Sequence, residues 1–124
     1  MSKILLNLIV IRTPNVVESV AFYTKLGLKF TLHQHGAGTP HHASENANIV
    51  LEIYPSTASQ PPTTQLRLGF RIGYLVEILA KLPHTNIIAS PKTSEWGLRA
   101  VVQDPDGNKV ELVQDSTLMT QHGT

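Results

Sequence analysis

The chain has 124 residues, 41% hydrophobic and 15% charged, with a formal net charge of +1 and no cysteine. That length suits a single domain with its own core, and the composition is globular rather than disordered. Lack of cysteine excludes disulfides, thiolate metal sites and a cysteine nucleophile, and the small net charge gives no pull toward nucleic acid or an anionic membrane. A cytoplasmic protein with neither nucleic-acid nor membrane partners is therefore expected.

Residues 4–12 are rich in Ile, Leu and Val and predict a buried strand; the run is too short to span a membrane, and Asn7 interrupts it as a signal-peptide core. Thr13-Pro14-Asn15 then opens a helix through Val16, Val20, Tyr23 and Leu26. Asn15 is its cap, Glu18 completes the capping-box spacing, and Gly27 is the C-terminal stop. Residues 29–33 predict a short strand with Phe30 and Leu32 on one face, 34–40 a turn, and 41–44 a weak edge strand. Residues 48–54 predict a strong strand that ends at Pro55. Residues 55–64 hold three prolines, no charge and no large apolar side chain, which is a linker composition.

The pattern then begins again. Residues 65–72 predict a strand ending at Gly73, 74–82 a short helix stopped by Pro83, 86–89 a strand and 91–95 a loop. Residues 98–103 and 109–114 predict two strands joined by the tight turn Asp104-Pro105-Asp106-Gly107-Asn108. Residues 115–124 form a polar tail. The order is βαβββ, linker, βαβββ. Asn15 and Gly73 lie 58 residues apart, and Glu52 and Glu111 lie 59 apart in the similar words Val50-Leu51-Glu52-Ile53 and Lys109-Val110-Glu111-Leu112. One domain, 1–124, is expected, with modules at 4–54 and 65–114.

Strand alternation picks out the candidate site. Ile49, Leu51 and Ile53 form one apolar face, leaving Val50, Glu52 and Tyr54 on the other. Val110 and Leu112 likewise leave Glu111 opposite. Either glutamate alone reads as a solvated surface residue, whereas two at matched positions point to a shared polar cavity. His33, His35, His41 and His42 invite a metal reading across a hairpin, though loop composition explains them equally well. At most one of His41 and His42 faces the cavity, and His42 is the preferred lining residue. Trp96 and Arg99 flank the start of the seventh strand; Trp96 reads as a wall of a ligand pocket or a lid over the core, Arg99 as an anion-binding group or an exposed one, and Tyr54 shares the face of Glu52.

Val20-Ala21-Phe22-Tyr23-Thr24-Lys25-Leu26-Gly27-Leu28 resembles the first helix of the vicinal oxygen chelate superfamily. That group includes glyoxalase I, bleomycin and fosfomycin resistance proteins, and extradiol dioxygenases. Trp96-Gly97, followed by Asp104-Pro105-Asp106-Gly107-Asn108-Lys109-Val110-Glu111-Leu112, resembles its C-terminal signature, and the similarity spans residues 5–114. The resemblance implies an α+β fold of two βαβββ modules, a cup-shaped mixed sheet with helices on its outer face, a homodimer and a small-molecule ligand. In metal-using members a divalent ion takes one ligand from the first strand and one from the last strand of each module. Glu52 and Glu111 fit the two last-strand positions, as metal ligands or catalytic groups. The first-strand positions fall on Asn7 or Leu8 and on Arg67 or Leu66; arginine has no lone pair to offer, so the set is incomplete for a classical glyoxalase I. Three readings follow. One is a glyoxalase-like lyase, isomerase or dioxygenase with a divalent metal. Another is a metal-free, antibiotic-sequestering binder in which Arg67 stands in for the cation and pairs with Glu52, Glu111 or both. The third is a scaffold whose cup has lost any ligand.

Overall fold

A computed structural model describes residues 2–47 and 49–119. The chain divides into two compact units, residues 1–63 and 64–124, so the boundary falls inside the expected linker. Each unit carries a four-stranded mixed sheet and one α-helix, the βαβββ pattern of an α+β fold. Among the described residues no helix is long and apolar enough to cross a membrane.

In the first unit, β1 (Leu8–Thr13) is followed by α1 (Val16–Lys25), β2 (Thr31–His33), β3 (His41–Asn46) and β4 (Ile49–Pro55). The sheet order is β1-β4-β3-β2, with β1 parallel to β4 and the other pairs antiparallel. Asn15 caps α1 as expected: its side chain accepts the Glu18 N–H at 3.0 Å, and its amide donates to the Glu18 carboxylate at 3.1 Å. Phe22, Tyr23 and Leu26 pack with Ile11, Leu51 and Ile53 in a core that excludes water almost completely.

Three expectations in this unit are corrected. The first strand starts at Leu8 rather than residue 4, its register with β4 running from Leu8 opposite Val50 to Thr13 opposite Pro55. Ile4, Leu5 and Leu6 consequently stand exposed, Ile4 at 95%. β3 is an interior strand, not an edge, since hairpins on both sides seat it between β4 and β2; His41, Ala43 and Ser44 are buried there. Residues 55–63 are also no loose tether. Thr63 hydrogen-bonds to the open edge of β1 at Arg12, satisfying backbone groups that the sheet leaves unpaired, and the Ser56 N–H extends the β1–β4 ladder onto the Thr13 carbonyl. The expected start of β4 at Asn48 lies outside the described residues.

The second unit runs β5 (Arg67–Ile72), α2 (Leu75–Leu79), β6 (Ile87–Ser94), β7 (Gly97–Gln103) and β8 (Lys109–Gln114). Its order, β5-β8-β7-β6, repeats that of the first unit, again with the first strand parallel to the last. The core is Leu68, Ile72, Leu75, Ile78, Ala100, Val102, Val110 and Leu112. α2 is only five residues long, and the Gln114 side chain from the end of β8 caps it by accepting the Leu75 N–H at 3.0 Å. Most of the expected loop at 91–95 is instead strand: β6 runs to Ser94, leaving Glu95 in the turn, and carries Pro91 within it. That is tolerated because β6 is an edge whose pairing with β7 slips between Ala89 and Lys92, so the missing N–H leaves no gap in a regular ladder. The Asp104–Asn108 turn is locked by the Asp104 carboxylate, which accepts the N–H groups of Asp106 and Asn108, each at 2.9 Å. The residues after β8 begin with a short 3-10 turn, Ser116–Leu118, capped by Asp115.

Candidate functional site

The two glutamates occupy matched places in the two sheets. Glu52 on β4 stands opposite Val10 on β1 and Ala43 on β3. Glu111 on β8 stands opposite Gly69 on β5 and Val101 on β7. Alternation puts Leu8, Val10 and Arg12 on the Glu52 face in one unit, and Arg67, Gly69 and Arg71 on the Glu111 face in the other. Two residues before Ala43 comes His41, and two residues before Val101 comes Arg99. These matched side chains each reach their own glutamate.

In the second unit Glu111 is gripped by two guanidinium groups. Arg67 Nε donates to Glu111 Oε1 at 2.7 Å, and Arg67 Nη2 donates to the same oxygen. Arg99 Nη2 lies 2.9 Å from that oxygen as well. The hydrogen bonds from Arg99 and then Arg67 hold the Glu111 carboxyl below its usual range. Two cations around one anion leave one positive charge in surplus. Arg71 is separately neutralised by Asp115 at 3.2 Å, and Asp115 is held low chiefly by the Thr117 hydroxyl. Beside Glu111 opens a hollow of about 640 Å³, lined among others by Arg71, Trp96, Leu98 and Val113. Trp96, at the tip of the β6–β7 hairpin, is 67% exposed and walls that hollow.

In the first unit the partner of Glu52 is His41, whose Nε2 lies 3.2 Å from Glu52 Oε2. The His41 ring stacks on Tyr54 at 4.3 Å with an interplanar angle of 9°, and the Arg12 guanidinium sits 4.8 Å from the Tyr54 ring centre. His41, not His42, is thus the histidine on the Glu52 face. His42 pairs with Ile53 and points to the helix-packed side. Asn7 precedes β1, is exposed, and contributes its carbonyl to the Val50 N–H at 2.8 Å. Of the two first-strand alternatives it is Leu8 that shares the face of Glu52, and in the second unit Arg67 rather than Leu66 shares the face of Glu111. His41 was within reach of the alternation rule. What hid it was the parity of β3, which depends on hairpin lengths rather than on residue types.

The metal implied by the resemblance can be tested on these donors. Around Glu111 the first-strand face supplies Arg67, Gly69 and Arg71, none with a lone pair, and the carboxylate is already neutralised. On the Glu52 face, β1 supplies Leu8, Val10 and Arg12. These residues do not fit an ion held between first and last strands.

The duplicated βαβββ order, the matched last-strand glutamates and the Asp-Pro-Asp-Gly-Asn turn together define a class. The chain belongs to the glyoxalase/bleomycin resistance protein/dioxygenase superfamily, whose family model matches residues 5–112. Among solved structures it is similar to TnmS3, an antibiotic-binding protein from Streptomyces sp. CB03234, at 25% identity over 94% of this chain and 99% of that one, with a TM-score of 0.71. The oxidase ChaP-H2 shares the fold at 18% identity, covering 99% of this chain and 98% of its own (TM-score 0.69). A bleomycin-binding protein complexed with bleomycin shares it at 20% identity over 91% and 99% (TM-score 0.55). No curated protein matches the chain in sequence.

Proposed function

We propose that this protein binds a small molecule without a metal at Glu111, as an antibiotic-sequestering member of its family, with Arg67 and Arg99 in the role a cation would fill. The observation that carries this reading is the convergence of both guanidinium groups on one oxygen of Glu111 beside an open hollow walled by Trp96. The surplus positive charge and the planar N–H forks suit a ligand with an anionic group or two adjacent oxygens, and the exposed indole suits an aromatic body. A general-base role for Glu111 is disfavoured, because a carboxylate held ionised by two arginines is a weak proton acceptor. The antibiotic-binding description of TnmS3 supports the same direction. We further take the protein to be a cytoplasmic homodimer, the exposed Ile4, Leu5 and Leu6 offering apolar surface for a second copy.

Trp96 is the single tryptophan, so its fluorescence reports directly on the hollow. Titration with bleomycin and with planar aromatic carboxylates is expected to give a saturable change for at least one of them. Arg67→Ala and Arg99→Ala are each expected to weaken that binding about tenfold or more, the loss of a charge-assisted contact. Binding indifferent to both variants, or no saturable response, would overturn the reading.

A further inference from the structure

The three imidazoles His33, His35 and His41 form a cluster that the arginine–glutamate site does not use. His33 on β2 and His41 on β3 are directly paired across the ladder, so both rings project from the Glu52 face. His35 follows β2 and enters a tight turn closed by the Gly38 N–H on the His35 carbonyl at 2.9 Å, with Gln34 Nε2 donating to the Gly38 carbonyl at 3.1 Å. The turn folds the His35 ring back, so the three ring centres stand 5.9 Å from one another. One ring nitrogen from each lies within 4.8 Å of the others. A tetrahedral ion with Zn–N bonds of about 2.0–2.1 Å needs nitrogens roughly 3.3 Å apart. The rings must therefore close in by only about 1.5 Å, a distance the exposed His35 can cover by changing rotamer.

His41 is the anchor. It is 3% exposed, stacked on Tyr54, and its Nδ1 contacts the Thr39 carbonyl at 3.1 Å. A carbonyl only accepts, so in that contact Nδ1 is the donor, and Nε2 lies 3.2 Å from Glu52 Oε2. A carbonyl-bound Nδ1–H is how proteins orient a metal-binding histidine. Three imidazoles suit a first-row divalent ion, since imidazole is a good ligand for Zn²⁺, Ni²⁺ and Cu²⁺.

The geometry points to a divalent transition-metal site made by His33, His35 and His41, with Glu52 beside His41, lying wholly within the first unit. It does not depend on ligand binding at Arg67 and Arg99. The test is Zn²⁺ and Ni²⁺ binding to the full chain without a histidine tag, by competition with a chromogenic chelator, together with the visible spectrum of the Co²⁺ form. One ion per chain is expected. His35→Ala and His33→Ala remove ligands from partly or fully exposed positions, and each is expected to weaken binding by about tenfold or more with an unchanged circular dichroism spectrum. His84→Ala, on the exposed 3-10 turn of the second unit, is expected to leave it unchanged. Absence of stoichiometric binding, or binding indifferent to both His33 and His35, would overturn the site.

Discussion

Replacing Asn108 with alanine cuts the tie that sets Arg67 beside Glu111. Asn108 is fully buried; its Oδ1 accepts the Leu66 N–H at 2.9 Å, and its Nδ2 donates to Asp104 Oδ2 at 2.8 Å. Alanine keeps the backbone bonds of the turn and deletes both side-chain bonds. The part-buried Leu66 N–H then loses its acceptor, at a cost of about 1–3 kcal/mol, and the Asp104 carboxylate loses a charge-assisted donor worth roughly 1.5–3 kcal/mol. The two bonds belong to one network and do not add in full, so a loss of about 3 kcal/mol is expected. With a urea m-value of about 2 kcal/mol/M, the unfolding midpoint falls by roughly 1.5 M at unchanged m. Leu66 precedes Arg67, and the Lys109 N–H returns to the Leu66 carbonyl at 3.0 Å, so the same variant is expected to weaken ligand binding reported by Trp96. A midpoint within about 0.3 M of the parent would refute the reasoning, because it would mean that neither bond is worth its usual amount.

Two further outcomes follow from the structure. Glu111→Gln removes a carboxylate whose folded pKa is depressed by Arg99 and Arg67. The stability it supplies is full above the ordinary glutamate pKa and is lost as pH falls through the lower folded value. The parent should therefore exceed the variant in urea midpoint at pH 7, with the gap closing below that range; a gap independent of pH would exclude the arginine pairing as its cause. Gly97 has φ +122°, and a Cβ there would stand 2.8 Å from the Gln114 carbonyl oxygen. Gly97→Ala is thus expected to destabilise by about 1–3 kcal/mol in thermal or urea unfolding, through backbone strain and a collision with main chain that cannot yield. A neutral Gly97→Ala would show that the hairpin carrying Trp96 is free to shift.

Much of the local structure was legible in the residues themselves. The Asn15–Glu18 cap and the Asp-Pro-Asp-Gly-Asn turn are set by side chains bonding within a few residues, and alternation alone put Glu52 and Glu111 on the non-core faces of their strands. The 59-residue spacing of the glutamates holds in three dimensions, since Val10 and Gly69, their register partners, have the same spacing. The pairing of Arg67 with a glutamate was also within reach of the sequence, because both lie on adjacent strands of one repeat. Tertiary structure alone decided the rest. Whether Ile4–Leu6 pair, whether β3 is an edge and whether Pro91 sits in a strand all depend on which chain segment lies alongside, and no local pattern encodes that. The same holds for the partners of the glutamates. His41 and Arg99 are 58 residues apart, one fewer than the glutamates they touch, because the hairpins leading back to β4 and β8 differ by one residue. A single-residue change in a hairpin reverses which side chains face together.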